Sequence, residues 1–463
     1  MPRTPPISFV ALIAVALWCA DFARAQSPSA DQEAGSAERP ALAAATTAER
    51  ATLDRFMNAS TWLRRAVAAM RLERYGDGES LALLQRLRGD PAWQVRAYAI
   101  RSLARRGVPE AEDWFADEQE PRVVRTLLRH RYTFDRGRLE RGMRFLLRSN
   151  SFEDWMLAAE LGAASGNEDL RELAKDTTRK IILRMDRAEG GALSARLAVL
   201  TGQPDLRRQY LWQDWLMKSG RRFDIVPAYA IDEGRPAAPS LLATLPSDRF
   251  AALEDYMTQL KRKKLDLAIC LDCTASMYSE IAEAQAGLDD LMLFVGDAVG
   301  ELRVAVVAYR DRRDEFKTKA WDFTSDLDQA RSQLWLLSAD GGGDSPEAVH
   351  DALELAYTKL TWRPESDKVL VLVGDAPPHL GLGTLCADMA GKAHELAQFK
   401  THAIQAEGKP VKHFDEIAKA GGGKCITLEE DGALIAEITG LSIGDTFEPE
   451  FTEFFEVYLE LCR

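Results

Sequence analysis

Asp272, Thr274 and Ser276 occupy alternate positions at the end of LDLAICLDCTASM, residues 265–277. A carboxylate and two hydroxyls at i, i+2 and i+4 of an extended turn can converge on one point. All three are hard oxygen donors, with no thiolate or imidazole among them. That is the ligand chemistry of Mg²⁺ and, less selectively, of Mn²⁺ or Ca²⁺. A further acid, Asp375, ends the run KVLVLVG, residues 368–374, and leads into the stiff loop Ala376-Pro377-Pro378-His379. Between the two stretches, Gly341-Gly342-Gly343-Asp344-Ser345-Pro346-Glu347 is a glycine turn that carries an acid and a hydroxyl into the start of a helix.

These loops need elements that bring them to one place. Residues 265–271 and 368–374 are short apolar runs flanked by polar residues, and read as buried parallel strands. From the first of them onward the pattern alternates. Helices are expected over 279–299, 327–337, 346–360, 387–399 and 413–420, with strands over 302–309, 401–406 and 424–428. This predicts an α/β domain with a doubly wound, mostly parallel, Rossmann-like sheet covered by helices on both faces. Ligands of open α/β sheets gather at the carboxyl ends of the strands, where the oxygen-rich loops then belong.

DCTASM, AYRDRRDEF (residues 308–316), GGGDSPEA and GDAPPH, in this order, resemble the von Willebrand factor A (vWA) domain with its metal-ion-dependent adhesion site. The combination is most similar to the branch found beside some α-kinases, and it covers about Lys264 to Ile438. The resemblance implies that Asp272, Thr274 and Ser276 form the first metal loop and that Asp375 is the acid on the later strand. The family's remaining ligand is usually a Thr on the middle loop; here the turn offers Asp344 and Ser345 instead. Asp311, at the end of the second strand, is expected behind the direct ligands. An ion so held keeps a position for a carboxylate, which implies a non-enzymatic binding or scaffold protein whose partner presents an Asp or Glu. No kinase domain follows within these residues, so kinase activity does not carry over.

The alternative is a metal-dependent hydrolase or a regulatory subunit of one. His379 is its candidate general base, against a plain turn role. None of the six histidines pairs with a Ser or Cys nucleophile in a recognisable motif, and no P-loop, dinucleotide fingerprint or zinc signature is present. Cys-x-x-Cys at 270–273 invites a zinc or redox reading, but Cys270 belongs inside the sheet.

The rest of the chain divides by pattern. Residues 1–25 have a positive start, an apolar stretch of about 14 residues, short of the roughly 20 that span a bilayer, and an Ala23-Arg24-Ala25 cleavage site. They read as a signal peptide of an exported, periplasmic or secreted, protein. Residues 26–47 read as a disordered leader, and 48–223 as an all-α, HEAT-like repeat region. There DPAWQVRAYAIRSLARRG and EPRVVRTLLRHR both open on an acid-Pro pair. Residues 224–246 form a Pro-rich linker, Ser247 caps the next helix, 247–440 is the vWA domain and 441–463 a helical tail. In the tail, Phe451, Phe454, Phe455 and Tyr458 form an apolar stripe that packs back on the body. Trp212 and Trp215 read as core, and the arginines of 122–148 as solvated helix faces.

Five cysteines remain after the signal, too few and too odd a number for a disulfide framework; Cys273 with Cys386 is the one pair considered. Residues 26–264 hold 40 Lys and Arg against 34 Asp and Glu, whereas 265–463 hold 17 against 37. That acidity excludes nucleic acid as a partner of the second half and favours cations or basic surfaces.

Overall fold

Leu265, Leu267, Ile269 and Leu271 alternate with Ala268 and Cys270 along one strand, and both sets are buried. Burial on both faces is what a strand inside a parallel sheet requires. In the computed structural model, residues 44–108, 118–130, 136–185, 193–220, 222–226, 239–343, 345–406, 408–428 and 433–462 are described. Their six strands are β1 (Lys264–Asp272), β2 (Glu301–Tyr309), β3 (Thr318–Thr324), β4 (Asp367–Gly374), β5 (Phe399–Gln405) and β6 (Gly422–Thr427). The order is β3-β2-β1-β4-β5-β6, parallel throughout except for β3, which runs antiparallel to β2 at one edge. The edge strand TKAWDFT had no place in the expected alternation. It is mostly exposed or half-buried and lacks the apolar run that marks the inner strands.

One face of the sheet is covered by the helices Val349–Lys359, Gly383–Ala397 and Phe414–Ala420, whose Ala352, Leu353, Cys386, Ala390 and Ile417 pack with Ala268, Cys270, Val307 and Leu372. The opposite face is covered by Tyr278–Ala298, Leu327–Leu334 and Leu434–Ile443. Cys273 belongs to this second face and Cys386 to the first, so the sheet stands between them and they do not pair. All five described cysteines are free thiols.

The second face also receives the helical region. Leu53, Phe56, Leu63, Tyr98 and Leu103 lie in the same continuous core as Phe294, Val306, Val373 and Phe454. Phe56 stacks on Phe250 with ring centroids 5.0 Å apart, and Trp62 meets both Phe294 and Tyr458, at 5.9 and 5.5 Å. The tail helix Glu448–Cys462 inserts Phe451, Phe454, Phe455 and Tyr458 here, all buried, and the Tyr98 hydroxyl donates to the Phe454 carbonyl at 2.6 Å. Further along the chain, Trp155, Ile181, Leu197, Leu216 and Ile225 share a core of their own with Trp212, which meets Trp215 edge-on at 5.7 Å.

Several expectations are corrected. The first helix, Thr47–Met57, begins inside the segment read as leader, because Thr46 and Glu49 close a reciprocal capping box. Pro246, not Ser247, precedes the helix Ser247–Leu260, and the Ser247 hydroxyl donates to Glu49 instead. Residues 241–244 of the linker form a helical turn whose end is held by the fully buried Arg71, donating to the carbonyls of Leu242, Ala243 and Leu245. Two arginines read as solvated dock the tail: Arg125 reaches the Cys462 carbonyl and Asp154, and Arg129 the Glu460 carbonyl at 2.9 Å. The helix expected from Pro346 begins only at Val349. The Glu347 amide donates to the Pro377 carbonyl at 2.9 Å and the Ala348 amide to the Arg310 carbonyl at 3.1 Å, so neighbouring loops take the amides of an expected first helical turn. The signal segment, most of the leader and most of the linker lie outside the described residues.

Candidate metal centre at the carboxyl rim

The chain crosses from β1 outward to β2 and β3, then returns to β4 on the other side of β1. The crevice between β1 and β4 is therefore the switch point of the sheet, where open α/β folds bind ligands. Leu271 stands opposite Val373 in that pair, so Asp272 and Asp375 leave the sheet at the same rim. Gly374 is required between them. A β-carbon there would strike the Tyr309 hydroxyl and lie 3.3 Å from Asp272 Oδ2.

Asp272 is fully buried. Its Oδ1 accepts from the Thr274 amide at 2.9 Å and the Thr274 hydroxyl at 2.8 Å, and the Thr274 hydroxyl lies 3.3 Å from that of Ser276. The spacing of DCTAS thus gathers its three oxygen side chains into one chain of contacts. Asp272 Oδ2 accepts no hydrogen bond from the described residues. Asp266, on the same strand and equally buried, makes the contrast: it is clasped by Arg303 at 2.7 Å, Arg363 at 2.8 Å and the Ser366 hydroxyl at 2.9 Å. Burial pushes the Asp272 carboxyl up to about 7, with Thr274 opposing and Asp375 and Asp314 adding to the rise.

Three more loops are tied to this one. Buried Arg310 donates to the Cys273 carbonyl at 3.0 Å and the Ser338 carbonyl at 2.7 Å. The Asp340 amide donates to the Cys273 carbonyl at 3.1 Å. Asp314 Oδ2 accepts from the amides of Asp311, at 3.1 Å, and Gly342, at 2.9 Å. Gly342 has φ +70°, and a β-carbon there would come within 2.7 Å of Thr274, so the glycine turn passes directly over the first loop. Asp311 faces His379, with Oδ1 and Nε2 3.0 Å apart.

Glu347 completes the cluster. It is 3% exposed, and its Oε2 accepts no hydrogen bond from the described residues. Burial, together with the charges of Asp272, Asp311, Asp314 and Asp375, pushes its carboxyl up to about 8. Neither Glu347 nor Asp314 stood out from spacing alone. Glu347 sat in what read as a helix start, and Asp314 in a loop without periodicity, although both fall inside the motifs GGGDSPE and AYRDRRDEF. Of the expected site residues, Asp272, Thr274, Ser276, Asp311 and Asp375 belong to this rim, Ser345 is exposed on its middle loop, and Asp344 lies outside the described residues.

The donors at this rim suit a hard cation. They are oxygens, three buried carboxylate oxygens (Asp272 Oδ2, Asp311 Oδ1 and Glu347 Oε2) accept no hydrogen bond from the described residues, and the charges include five acids. Arg310 spends its nearest N–H groups on carbonyls. Elsewhere among the described residues, His350, Asp351 and Glu354 put ligand atoms within 4.8 Å of one another; the acids of the rim do not come that close in threes. Asp351 there is ion-paired to Lys317 at 2.6 Å.

Residues 266–380 match the family model of the von Willebrand factor A domain. The sheet domain is of the vWA type. Among curated proteins, an ariadne-like RING finger protein of Acanthamoeba polyphaga mimivirus is 28% identical over 115 residues, and the alpha-protein kinase vwkA of Dictyostelium discoideum 29% over 125. Each match covers 25% of this chain but only 11% and 19% of those relatives, so their activities as whole proteins stay with them. Similar solved structures include BatB of Bacteroides thetaiotaomicron (17% identity, TM-score 0.29, 38% of this chain and 95% of that one). Proximal thread matrix protein 1 of the mussel byssus follows at 15%, TM-score 0.31, 42% and 51%, and a von Willebrand factor type A structure of Catenulispora acidiphila at 16%, 0.31, 39% and 42%. A vWA domain points to a role in protein interaction. No described helix is long and apolar enough to cross a membrane.

Proposed function

We propose that the chain is an exported binding or scaffold protein whose vWA rim holds one divalent cation, Mg²⁺ or else Mn²⁺ or Ca²⁺, and through it a carboxylate of a protein partner. Asp272, Thr274, Ser276 and Asp375 supply the ligand oxygens, the middle loop adds one from Asp344 or Ser345, and Asp311 stands behind them. The observation that carries this reading is the buried, unpartnered Asp272 Oδ2 among like charges, on a strand whose other buried Asp is fully paired. A buried carboxylate without a partner is costly, and a cation at that point removes the cost. When bound, the ion supplies a Lewis-acidic position for an incoming Asp or Glu.

The chain's own residues shape the approach. Tyr278 and Leu380, 58% and 97% exposed, directly follow the first and last loops, so exposed apolar side chains adjoin the rim, as at protein interfaces. The helical region, read as HEAT-like pairs, offers a second surface. The hydrolase alternative is not favoured, because His379 faces Asp311 rather than a nucleophile.

The test is retention of a partner on the immobilised chain. Retention with Mg²⁺, release by EDTA and loss in Asp272→Ala, with the circular dichroism spectrum kept, is the expected result. Retention indifferent to chelation contradicts the proposal.

A further inference from the structure

Two exposed apolar patches of the chain carry opposite charge. The first is built by two helices. On Gln209–Ser219, Tyr210 stands three residues before Gln213 and Met217 four after it, so the three share a face. The Gln213 amide donates to the Ile182 carbonyl at 3.4 Å, which brings Leu183, at the end of the helix Glu168–Arg184, beside that face. Leu183, Tyr210 and Met217 are 57–73% exposed. Along the same turns lie Arg179, Lys180, Arg184, Arg208 and Lys218, against Asp176 and Asp214. The two acids are taken by Arg179 at 2.6 Å and Lys218 at 2.5 Å. Lys180 and Arg184 lie over the Trp155 ring, and with Arg208 they have no acidic partner among the described residues. The patch is basic.

The second patch lies on the sheet domain. Gln285 follows Tyr278 by seven residues on the helix Tyr278–Ala298, two turns along one face. Its amide donates to the carbonyls of Leu334 and Leu337, at 3.1 Å each, on either side of Trp335 and Leu336. One turn further on, Asp289 accepts from Arg331 at 2.9 Å, so the helix Leu327–Leu334 runs antiparallel and its end points toward Tyr278. Tyr278, Trp335 and Leu336 are 58–66% exposed. Around them stand Glu283, Asp289, Asp328 and Asp340 against Arg331, which is shared between Asp289 and Asp328. This patch is acidic.

Exposed clusters of large apolar side chains mark contact surfaces, and both clusters are exposed in the single chain, so neither covers the other. An occupant of the first must be apolar and acidic, and an occupant of the second apolar and basic. The chain itself supplies both. We propose that the two patches are the halves of a head-to-tail contact between copies of this chain, the basic patch around Met217 of one copy seating on the acidic patch around Trp335 of the next. Such a contact is heterologous: each copy keeps one patch open after pairing, so growth continues until a ring closes or a filament forms. Opposite charge sets the pairing of unlike patches over like ones. Three large side chains a side make a small interface, and association is expected in the micromolar range, ~1–100 µM. The contact needs no cation, so it stands or falls apart from the reading of the rim.

The experiment is sedimentation velocity of the full chain in EDTA, at concentrations from about 1 to 200 µM. The wild type is expected to grow from monomer to dimer and larger species as concentration rises, and to dissociate in about 0.5 M NaCl, which screens exposed charges. Met217→Glu, and Trp335→Ser combined with Leu336→Ser, alter exposed side chains and should keep the circular dichroism spectrum. Each is expected to weaken association by about tenfold or more. Mixed in equal amounts, the two variants still offer one intact basic and one intact acidic patch, and should form dimers and nothing larger. A wild type that stays monomeric throughout overturns the proposal. So does a mixture that stays monomeric, since like patches would then be meeting, and so does association that salt leaves unchanged.

Discussion

Two aspartates of β1 show what decides the fate of a buried carboxylate. Asp266 is surrounded by guanidinium groups and a hydroxyl; Asp272 is left with one oxygen unmatched by the described residues, and is the centre of the proposed cation site. Buried His402 on β5 gives a test of the same physics at a structural position. It accepts the Lys424 amide at Nδ1 (3.1 Å), its Nε2 has no partner among the described residues, and burial beside Lys400 and Lys424 pushes it down to about 4. Because the folded value lies below the unfolded one, near 6.5, the stability it confers is complete above pH 6.5 and is lost as pH falls toward 4. The loss is about 3 kcal/mol at most. Urea unfolding across that range is expected to show a steeper decline for the wild type than for His402→Asn, which cannot take up the proton. Parallel curves would show that His402 does not titrate in this window.

At the scale of elements, the inner strands and the helices between them were legible because burial on two faces forces continuous apolar runs of strand length. Asp272 and Asp375 were legible for the same reason, as the first polar residues after such runs. The edge strand β3 was not, since a strand with one neighbour and an exposed face carries no such run. Glu347 was hidden by a correct local rule: Pro346 favours a helix start, but tertiary hydrogen bonds to Pro377 and Arg310 take the amides that a first turn would use. Arg71 was hidden in another way. Nothing in WLRRAVAAMR says which arginine turns inward, yet this one is fully buried and holds the 242–245 segment by its carbonyls, with Glu49 at 3.3 Å and the Tyr75 hydroxyl at 3.0 Å. Arg71→Ala leaves several buried acceptors and Glu49 unmatched, and is expected to cost roughly 3–5 kcal/mol by denaturant unfolding. A cost under about 1 kcal/mol, the usual worth of an exposed pair, would mean that Arg71 holds nothing.

At the scale of the whole molecule, the helices of residues 47–105, the sheet and the tail share one core. Phe294 links them, with ring contacts to Trp62, Phe454, Phe455 and Tyr458 at 4.8–5.9 Å. A vWA segment cut away from its helices would expose this aromatic face to water. Calorimetry of the chain is therefore expected to show these parts melting in one transition. Phe454→Ala, at a fully buried position in the shared core, should lower the stability of that transition by about 3–5 kcal/mol. Two resolved transitions, only one of them moved by Phe454→Ala, would show that the helices and the sheet fold independently. The expected signal peptide also has a plain test: the mature protein should begin at Gln26 by mass spectrometry, and an intact Met1 on the exported form would contradict it.

The central claim is that separate loops at one end of the sheet share one ion. Its most direct test is anomalous diffraction from crystals grown with Mn²⁺. The prediction is a single strong peak in the crevice between β1 and β4, within about 2.0–2.6 Å of oxygens from the first loop, at Thr274 or Ser276, and from the loops carrying Glu347 or Asp375. No peak there, or a peak only at His350, Asp351 and Glu354, would contradict it.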